Sequence, residues 1–230
     1  MVSVTSGILR EQLLMVYRRM LERYGPQHWW PGESAFEITI GAVLTQAASW
    51  GNVEKALCNL KQAGVFSPKA LREIPDEDLA RLIYPCGYFN AKARKLKSLA
   101  HYLGERFDDD LDALTVLDTA TLRGELLAVY GIGEETADAI MLYVAQKPSF
   151  VIDTYTRRIV QRLGLAPLKD TYSRHQALFM DNLPQETSLF NEYHALLDRH
   201  GKETCRKKPL CEGCCLLNLC PTGGAKVSSR

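Results

Sequence analysis

LRGELLAVYGIGEETADAIMLYVA, residues 122–145, is the stretch whose reading decides the fold. Leu122 to Val129 reads as a short helix, Tyr130-Gly131-Ile132-Gly133 as a tight turn, and Glu134 to Ala145 as a second helix. Its apolar positions are Ala137, Ile140, Met141 and Val144. Two glycines flanking one aliphatic residue free the backbone to turn sharply and leave amide N–H groups at a helix N-terminus, where a DNA phosphate could be received. Alone this is a weak signal, because Gly-x-Gly also ends ordinary helix pairs. The next segment strengthens it. The apolar run Phe150-Val151-Ile152 leads into Asp153-Thr154, at the start of a helix carrying Arg157, Arg158 and Arg162. An aspartate there is first of all an N-cap. The same position also lets a carboxylate face a cationic transition state.

Outward from this hairpin the chain reads as all-α. Ile8, Leu14, Met15, Tyr17, Leu21 and Tyr24 recur at three- and four-residue steps, and Gly25-Pro26 ends that helix. Ser67-Pro68 supplies an N-cap with proline in the first turn, Pro75-Asp76-Glu77 acts similarly, and Leu96, Leu99 and Leu103 line one face of a later helix. Alternating runs typical of strands are missing, so a bundle of about ten short helices is expected. The 230 residues, 46% hydrophobic and 24% charged, have an ordinary globular balance that argues against disordered and fibrous classes. The formal net charge of +1 means that a nucleic-acid partner would be attracted by local basic clusters. No apolar stretch approaches the roughly 20 residues of a bilayer span, and the N-terminus lacks the pattern of a signal peptide. A cytoplasmic, nucleoid-associated monomer without a membrane partner is expected.

Five of the seven cysteines fall between Cys205 and Cys220, which suits a metal site better than a disulfide framework. Cys205, Cys211, Cys214 and Cys220 are separated by five, two and five residues, so one loop can wrap four thiolates around an inorganic centre. Zinc is the competitor, but structural zinc sites usually use two CxxC-like knuckles and this loop has one, which favours iron–sulfur. Cys215 could replace Cys214 as a ligand. Arg206, Lys207 and Lys208 lie between the first two cysteines, where a rigid loop would present them to phosphates; a merely solvated charge run is the plainer reading.

Several motifs in one order resemble the endonuclease III superfamily, the helix-hairpin-helix, Gly/Pro-Asp DNA glycosylases, over nearly the whole chain. They are 126–137, Val151-Ile152-Asp153-Thr154, and His200-Gly201-Lys202 leading into the cysteines. The resemblance implies two helical domains with a DNA-binding cleft between them. One is a six-helix domain over 29–147 containing the hairpin at about 122–145; the other, cluster-bearing, is built from 1–28 and 148–220. A flexible tail would follow at 221–230. It also implies a 4Fe-4S cluster and double-stranded DNA containing a damaged base as partner. Asp153 would be the catalytic aspartate, and the amides at Gly131 and Gly133 would hold a phosphate. Gln46 would fill the gap left by a flipped nucleotide, and Tyr88 would wedge the opposite strand.

One position departs from the bifunctional members, which carry a Schiff-base lysine two residues after the second hairpin glycine; here it is Glu135. A carboxylate cannot form an imine, so a monofunctional enzyme is expected, with Glu135 as a second catalytic-site candidate beside Asp153. His28-Trp29-Trp30-Pro31, the run Gly41 to Gln46 and Ala137-Asp138-Ala139-Ile140 look most like the 3-methyladenine DNA glycosylase branch. That branch has a glutamate and an aspartate at the positions of Glu135 and Asp138. Trp29, Trp30, Pro31 and Trp50 would wall its aromatic pocket, although tryptophans are by default core residues. Known members of the branch often lack the cluster loop that this chain carries. Lys202 is a DNA-binding candidate and the nearest amine that could stand near Asp153. The rival readings are a uracil/thymine mismatch or oxidised-pyrimidine glycosylase, with or without lyase activity, and a non-catalytic DNA-binding iron–sulfur protein.

Overall fold

In the computed structural model, residues 4–228 are described, with side chains from 7 to 227. Among them are twelve α-helices, three short 3-10 turns and no strand. The chain divides into two compact units, Trp30–Lys147 and Met1–Trp29 with Pro148–Arg230.

The unit Trp30–Lys147 contains α2 (Ala35–Leu44), α3 (Trp50–Gln62), α4 (Pro68–Glu73), α5 (Asp76–Leu82), α6 (Phe89–Phe107), α7 (Thr119–Ala128) and α8 (Glu134–Tyr143). Local chemistry sets several of these starts. Ser34, Ser67 and Asp118 cap α2, α4 and α7 with side-chain oxygens, each satisfying amides that the helix leaves without partners. α6 packs on α4, α5 and α2. Its buried stripe runs Lys92, Leu96, Leu99, Leu103, so a lysine occupies a core position in an otherwise apolar row. α2 is buried along nearly its whole length and also packs on α8.

The second unit contains α1 (Val4–Tyr24), α9 (Thr154–Arg162), α10 (Tyr172–Met180), α11 (Thr187–Glu203) and α12 (Pro221–Ser228). α11 packs on α1 and α9. Its core is aromatic. Phe150 stacks on Phe179 with centroids 3.9 Å apart, Tyr193 meets both edge-on, and the Tyr193 hydroxyl donates to the Leu13 carbonyl at 2.8 Å.

Two expectations need correction. The helices are not uniformly short, since α1, α6 and α11 have 21, 19 and 17 residues. The segment expected as a flexible tail is helical over Pro221–Ser228, and residues 229–230 lie outside the described part. Pro221 opens α12 where its missing N–H costs nothing, and the absence of a side chain at Gly223 lets the helix sit close to Leu217 and Cys220. No described helix is long and apolar enough to cross a membrane.

Candidate functional site

The hairpin forms as α7, a four-residue connection and α8, and only one of its two glycines is demanded by the backbone. Gly131 has φ +82°, and a Cβ there would fall 2.2 Å from the Lys95 side chain. Gly133 has φ −92° and open space where a side chain would be, so it leaves the α8 N-terminus uncovered rather than permitting the turn. Ile132 between them is buried. Arg123 on α7 grips the fully buried Asp138 of α8 through two hydrogen bonds of 2.8 and 3.1 Å, locking the pair of helices. Glu134 and Glu135 are exposed in the first turn of α8.

Gln46 lies just beyond α2 and is tied to this hairpin. Its Nε2 donates to the Gly131 carbonyl at 3.2 Å and to Thr136 Oγ1 at 3.0 Å, while its Oε1 accepts a short hydrogen bond from Lys95 Nζ. Tyr88, at the start of α6, is 76% exposed and left-handed at φ +47°; Ala47, beside Gln46, is left-handed at φ +52°. Non-glycine residues pay for that conformation, so the surrounding structure must hold both tips.

Trp30, Trp50 and Tyr143 form an aromatic group in the same unit. The Trp30–Trp50 centroids are 5.6 Å apart with planes at 80°, and Trp30–Tyr143 are 5.2 Å apart at 59°. Trp30 and Trp50 therefore touch edge to face, the arrangement that ring quadrupoles favour, and leave no slot between them for a base. Pro31 is exposed. Trp29 belongs to the other unit, where its ring lies 5.6 Å from Lys202 Nζ.

In that unit Asp153 caps α9, its Oδ1 accepting from the Thr156 amide at 2.6 Å while Oδ2 lies 3.9 Å from His194 Nε2. Its side chain is 13% exposed. His194, Asp198 and Lys202 follow at four-residue steps on α11 and share one face. Lys202 Nζ is 2.7 Å from Asp198 Oδ2 and also approaches the Tyr155 ring at 5.8 Å. Burial pushes the Asp198 carboxyl up from its ordinary range, Lys202 opposes that shift, and the nearby Asp153 carboxylate adds to it. Gly201 gives the Tyr155 side chain its place, since a Cβ there would fall 2.6 Å from the Tyr155 Cβ and 2.7 Å from its ring.

The cysteine loop surrounds a small, partly open pocket lined by Cys205, Cys211, Cys214 and Cys220 but not by Cys215. Several N–H groups aim at these sulfurs: Arg162 Nη1 at 3.1 Å from Cys205, Gly223 N at 3.3 Å from Cys220 and Leu216 N at 3.4 Å from Cys214. Burial raises the thiols of Cys214, to about 11, and of Cys220, and their neighbouring sulfurs raise them further. Four thiolates there need a cationic centre to balance them, and the N–H donors suit an iron–sulfur cluster. Among the described residues no three His, Cys, Asp or Glu side chains are grouped as a single ion would need. His200, its pKa lowered to about 4 by burial, joins Tyr24 Oη through Nδ1 at 2.9 Å. Arg206, Lys207 and Lys208 are exposed, and Arg162 holds the Cys205, Arg206 and Lys207 carbonyls beneath them.

Sequence reasoning missed Lys92, Lys95, His194 and Asp198. For Lys92 a signal existed: it stands on the apolar stripe of α6. Nothing local marks Lys95, whose partner Gln46 is 49 positions away.

A capped aspartate, a glycine hairpin and a four-cysteine loop in an all-helical chain define a DNA glycosylase of the helix-hairpin-helix class, and comparison with known proteins agrees. The chain belongs to the HhH-GPD superfamily of base excision DNA repair proteins, whose family model matches residues 40–185. It is 40% identical over 211 residues to a Methanocaldococcus jannaschii protein provisionally named a DNA repair glycosylase, covering 91% of this chain and 96% of that one. It is 29% identical over 189 residues to endonuclease III of Sulfolobus acidocaldarius, covering 81% and 82%. Among solved structures, a non-covalent endonuclease III–DNA complex superposes with a TM-score of 0.83 at 23% identity, covering 95% of this chain and 98% of that one. The 3-methyladenine DNA glycosylase of Helicobacter pylori, bound to 1,N6-ethenoadenine, superposes with a TM-score of 0.70 at 27% identity, covering 85% and 97%. The protein is a base-excision repair DNA glycosylase, and DNA is its partner. The non-catalytic reading is set aside.

Proposed function

We propose that this glycosylase is monofunctional, acts on alkylated purines such as 3-methyladenine in duplex DNA, and carries one 4Fe-4S cluster. The observation that carries the monofunctional reading is the exposed carboxylate of Glu135 in the first turn of α8, where the bifunctional relatives place their imine-forming lysine. Lys202, the other candidate amine, is engaged by Asp198 and two aromatic rings.

Asp153 is the catalytic carboxylate of this proposal. Its cap to Thr156 fixes one oxygen, and the other, 3.9 Å from His194 Nε2, would face positive charge developing on the sugar as the glycosidic bond breaks. The base leaves with the bonding electron pair, water adds to the resulting sugar cation, and its proton passes to the Asp153 carboxylate and on to solvent, leaving an abasic strand. The nucleotide must first leave the stack, at about a few kcal/mol. Gln46 and Tyr88 would offset part of that cost by occupying the space it vacates. An alkylpurine already carries positive charge, departs as a neutral base, and is attracted to indole faces.

Cys205, Cys211, Cys214 and Cys220 would hold the cluster, and a single zinc ion fits less well because its sulfurs would have to converge to about 3.8 Å, given Zn–S bonds of ~2.3 Å. Bound, the cluster fixes the loop that presents Arg206, Lys207 and Lys208 to phosphates. This lesion class is supported by Glu135 at the lysine position and by the 27% identity to the 3-methyladenine enzyme. The test is base release from a duplex panel of 3-methyladenine, 7-methylguanine, uracil and thymine opposite guanine, and an oxidised pyrimidine. Preferred release of alkylpurines without strand cleavage is expected; preference for any other member overturns the substrate.

A further inference from the structure

Lys92 is the fourth residue of α6, 2% exposed, and no step proposed above uses it. Burial in itself lowers its pKa, the direction expected of an ammonium removed from water. Such a group is kept only where its hydrogens are used. Lys92 Nζ donates to the Leu44 carbonyl at 3.0 Å and to the Cys86 carbonyl at 2.8 Å. Leu44 is the last residue of α2, so the ammonium also sits at the negative end of that helix.

Both carbonyls lie just upstream of an exposed turn tip. Two residues beyond Leu44 is Gln46, next to left-handed Ala47; two beyond Cys86 is Tyr88, itself left-handed. Lys95, one turn along α6, then holds the Gln46 side chain directly. The Cys86 thiol donates to the Asn52 carbonyl at 3.5 Å, adding a tie from the same turn to α3.

We propose that Lys92 is a positioning residue that braces the Gln46 and Tyr88 tips against each other, so that they enter a duplex as one rigid unit. The inference rests on the reading that those two residues enter DNA. An independently mobile pair would each have to be ordered on binding, whereas a braced pair arrives already spaced. The strain of both left-handed tips is tolerable for the same reason.

The test uses duplexes containing a tetrahydrofuran abasic analogue with 2-aminopurine opposite it, read by fluorescence and by Kd, with the full-length protein. This readout needs no base excision and is independent of lesion choice. Lys92→Met, with circular dichroism and melting to show that it folds, should weaken binding about tenfold and lose most of the 2-aminopurine signal. In a Gln46→Ala/Tyr88→Ala background the same substitution should change Kd less than about twofold, because there is nothing left to brace. A full effect in that background overturns the proposal, as it would show a general loss of stability. Should Lys92→Met fail to fold, the two tip variants alone decide: strongly non-additive effects of Gln46→Ala and Tyr88→Ala support a braced unit, and additive effects overturn it. If both tip variants are silent, the intercalation reading fails and the brace falls with it; if they act and Lys92→Met does not, only the brace fails.

Discussion

The Lys202 ammonium sits 2.7 Å from the Asp198 carboxylate, on the helix face that also presents His194 to Asp153. A nucleophilic amine must lose its proton and reach the sugar, and here it would first have to abandon an ion pair and two ring contacts. Borohydride should therefore trap no covalent adduct between the wild-type protein and lesion or abasic DNA. Glu135→Lys should create a trappable adduct. Efficient trapping by the wild type, abolished by Lys202→Met, would assign the lyase step to Lys202 instead.

Asp153→Asn should abolish base excision while keeping lesion-DNA binding within about tenfold. Asparagine can still accept from the Thr156 amide, so α9 keeps its cap and only the charge is removed. Single-turnover base release together with Kd measures both effects. Retained excision in this variant would remove the proposed role.

The all-helical architecture was legible because its signals are local. Asp153 reads as a cap from its neighbours alone, Ser67-Pro68 announces α4, and the four cysteines share one loop. What the sequence hid was long-range. Gln46 is tied to Gly131 across 85 positions, and Lys92 to Leu44 across 48. Ring orientation is equally invisible in sequence, so nothing in it showed that Trp30 and Trp50, expected among the pocket walls, touch edge to face. The hairpin glycines look equivalent on paper, yet only Gly131 carries positive φ. The segment from Pro221, expected as a tail, starts a helix there.

Purified anaerobically, the protein should be brown and carry about four irons per chain if one 4Fe-4S cluster is held. Cys211→Ser should lose the iron and Cys215→Ser should keep it, because Cys215 does not face the cysteine-lined space and its carbonyl instead accepts from Arg19 at 3.4 Å. Stoichiometric zinc without iron, or iron loss in Cys215→Ser but not in Cys214→Ser, would overturn the cluster or the ligand choice respectively.

Arg72 grips Asp109 at 2.6 and 2.8 Å, and this guanidinium holds the Asp109 carboxyl below the usual carboxylate range. A depressed native pKa contributes stability above the unfolded value, about 3.9, and that contribution is lost as pH falls through the native value. Asp109 has φ +66°, which asparagine tolerates, so Asp109→Asn removes the charge without new backbone strain. The variant should lose about 1 kcal/mol at pH 7, a fall in Tm of roughly 2–4 °C. Melts repeated towards pH 3 should converge with the wild type. A gap that stays constant with pH would show that the charge pair is not its source.

If the proposed substrate class holds, selectivity should depend on how the Trp30 group meets a flipped base. Because Trp50 and Tyr143 both lean on Trp30, and a base cannot enter between the two indoles, the stacking we propose uses a single face of Trp30 with Trp50 as its support. One indole face excluding water attracts a cationic alkylpurine by about 2 kcal/mol, which at about 1.4 kcal/mol per decade is between one and two decades of rate. Neutral uracil and thymine gain much less from the same face. Trp30→Ala should thus slow excision of 3-methyladenine by one to two decades, on the order of that stacking energy, and barely alter any residual action on mismatched pyrimidines. Trp50→Ala, which removes the support and not the face, should cost about half a decade to one decade. Gly41 lies against the Trp30 indole, where a Cβ would rest at an ordinary 3.6 Å, so Gly41→Ala should leave the ranking of substrates unchanged and serve as the control for simple repacking. Equal losses across cationic and neutral bases in Trp30→Ala would reduce the indole to a core residue, and a wild-type preference for uracil opposite guanine would move the enzyme to the mismatch class.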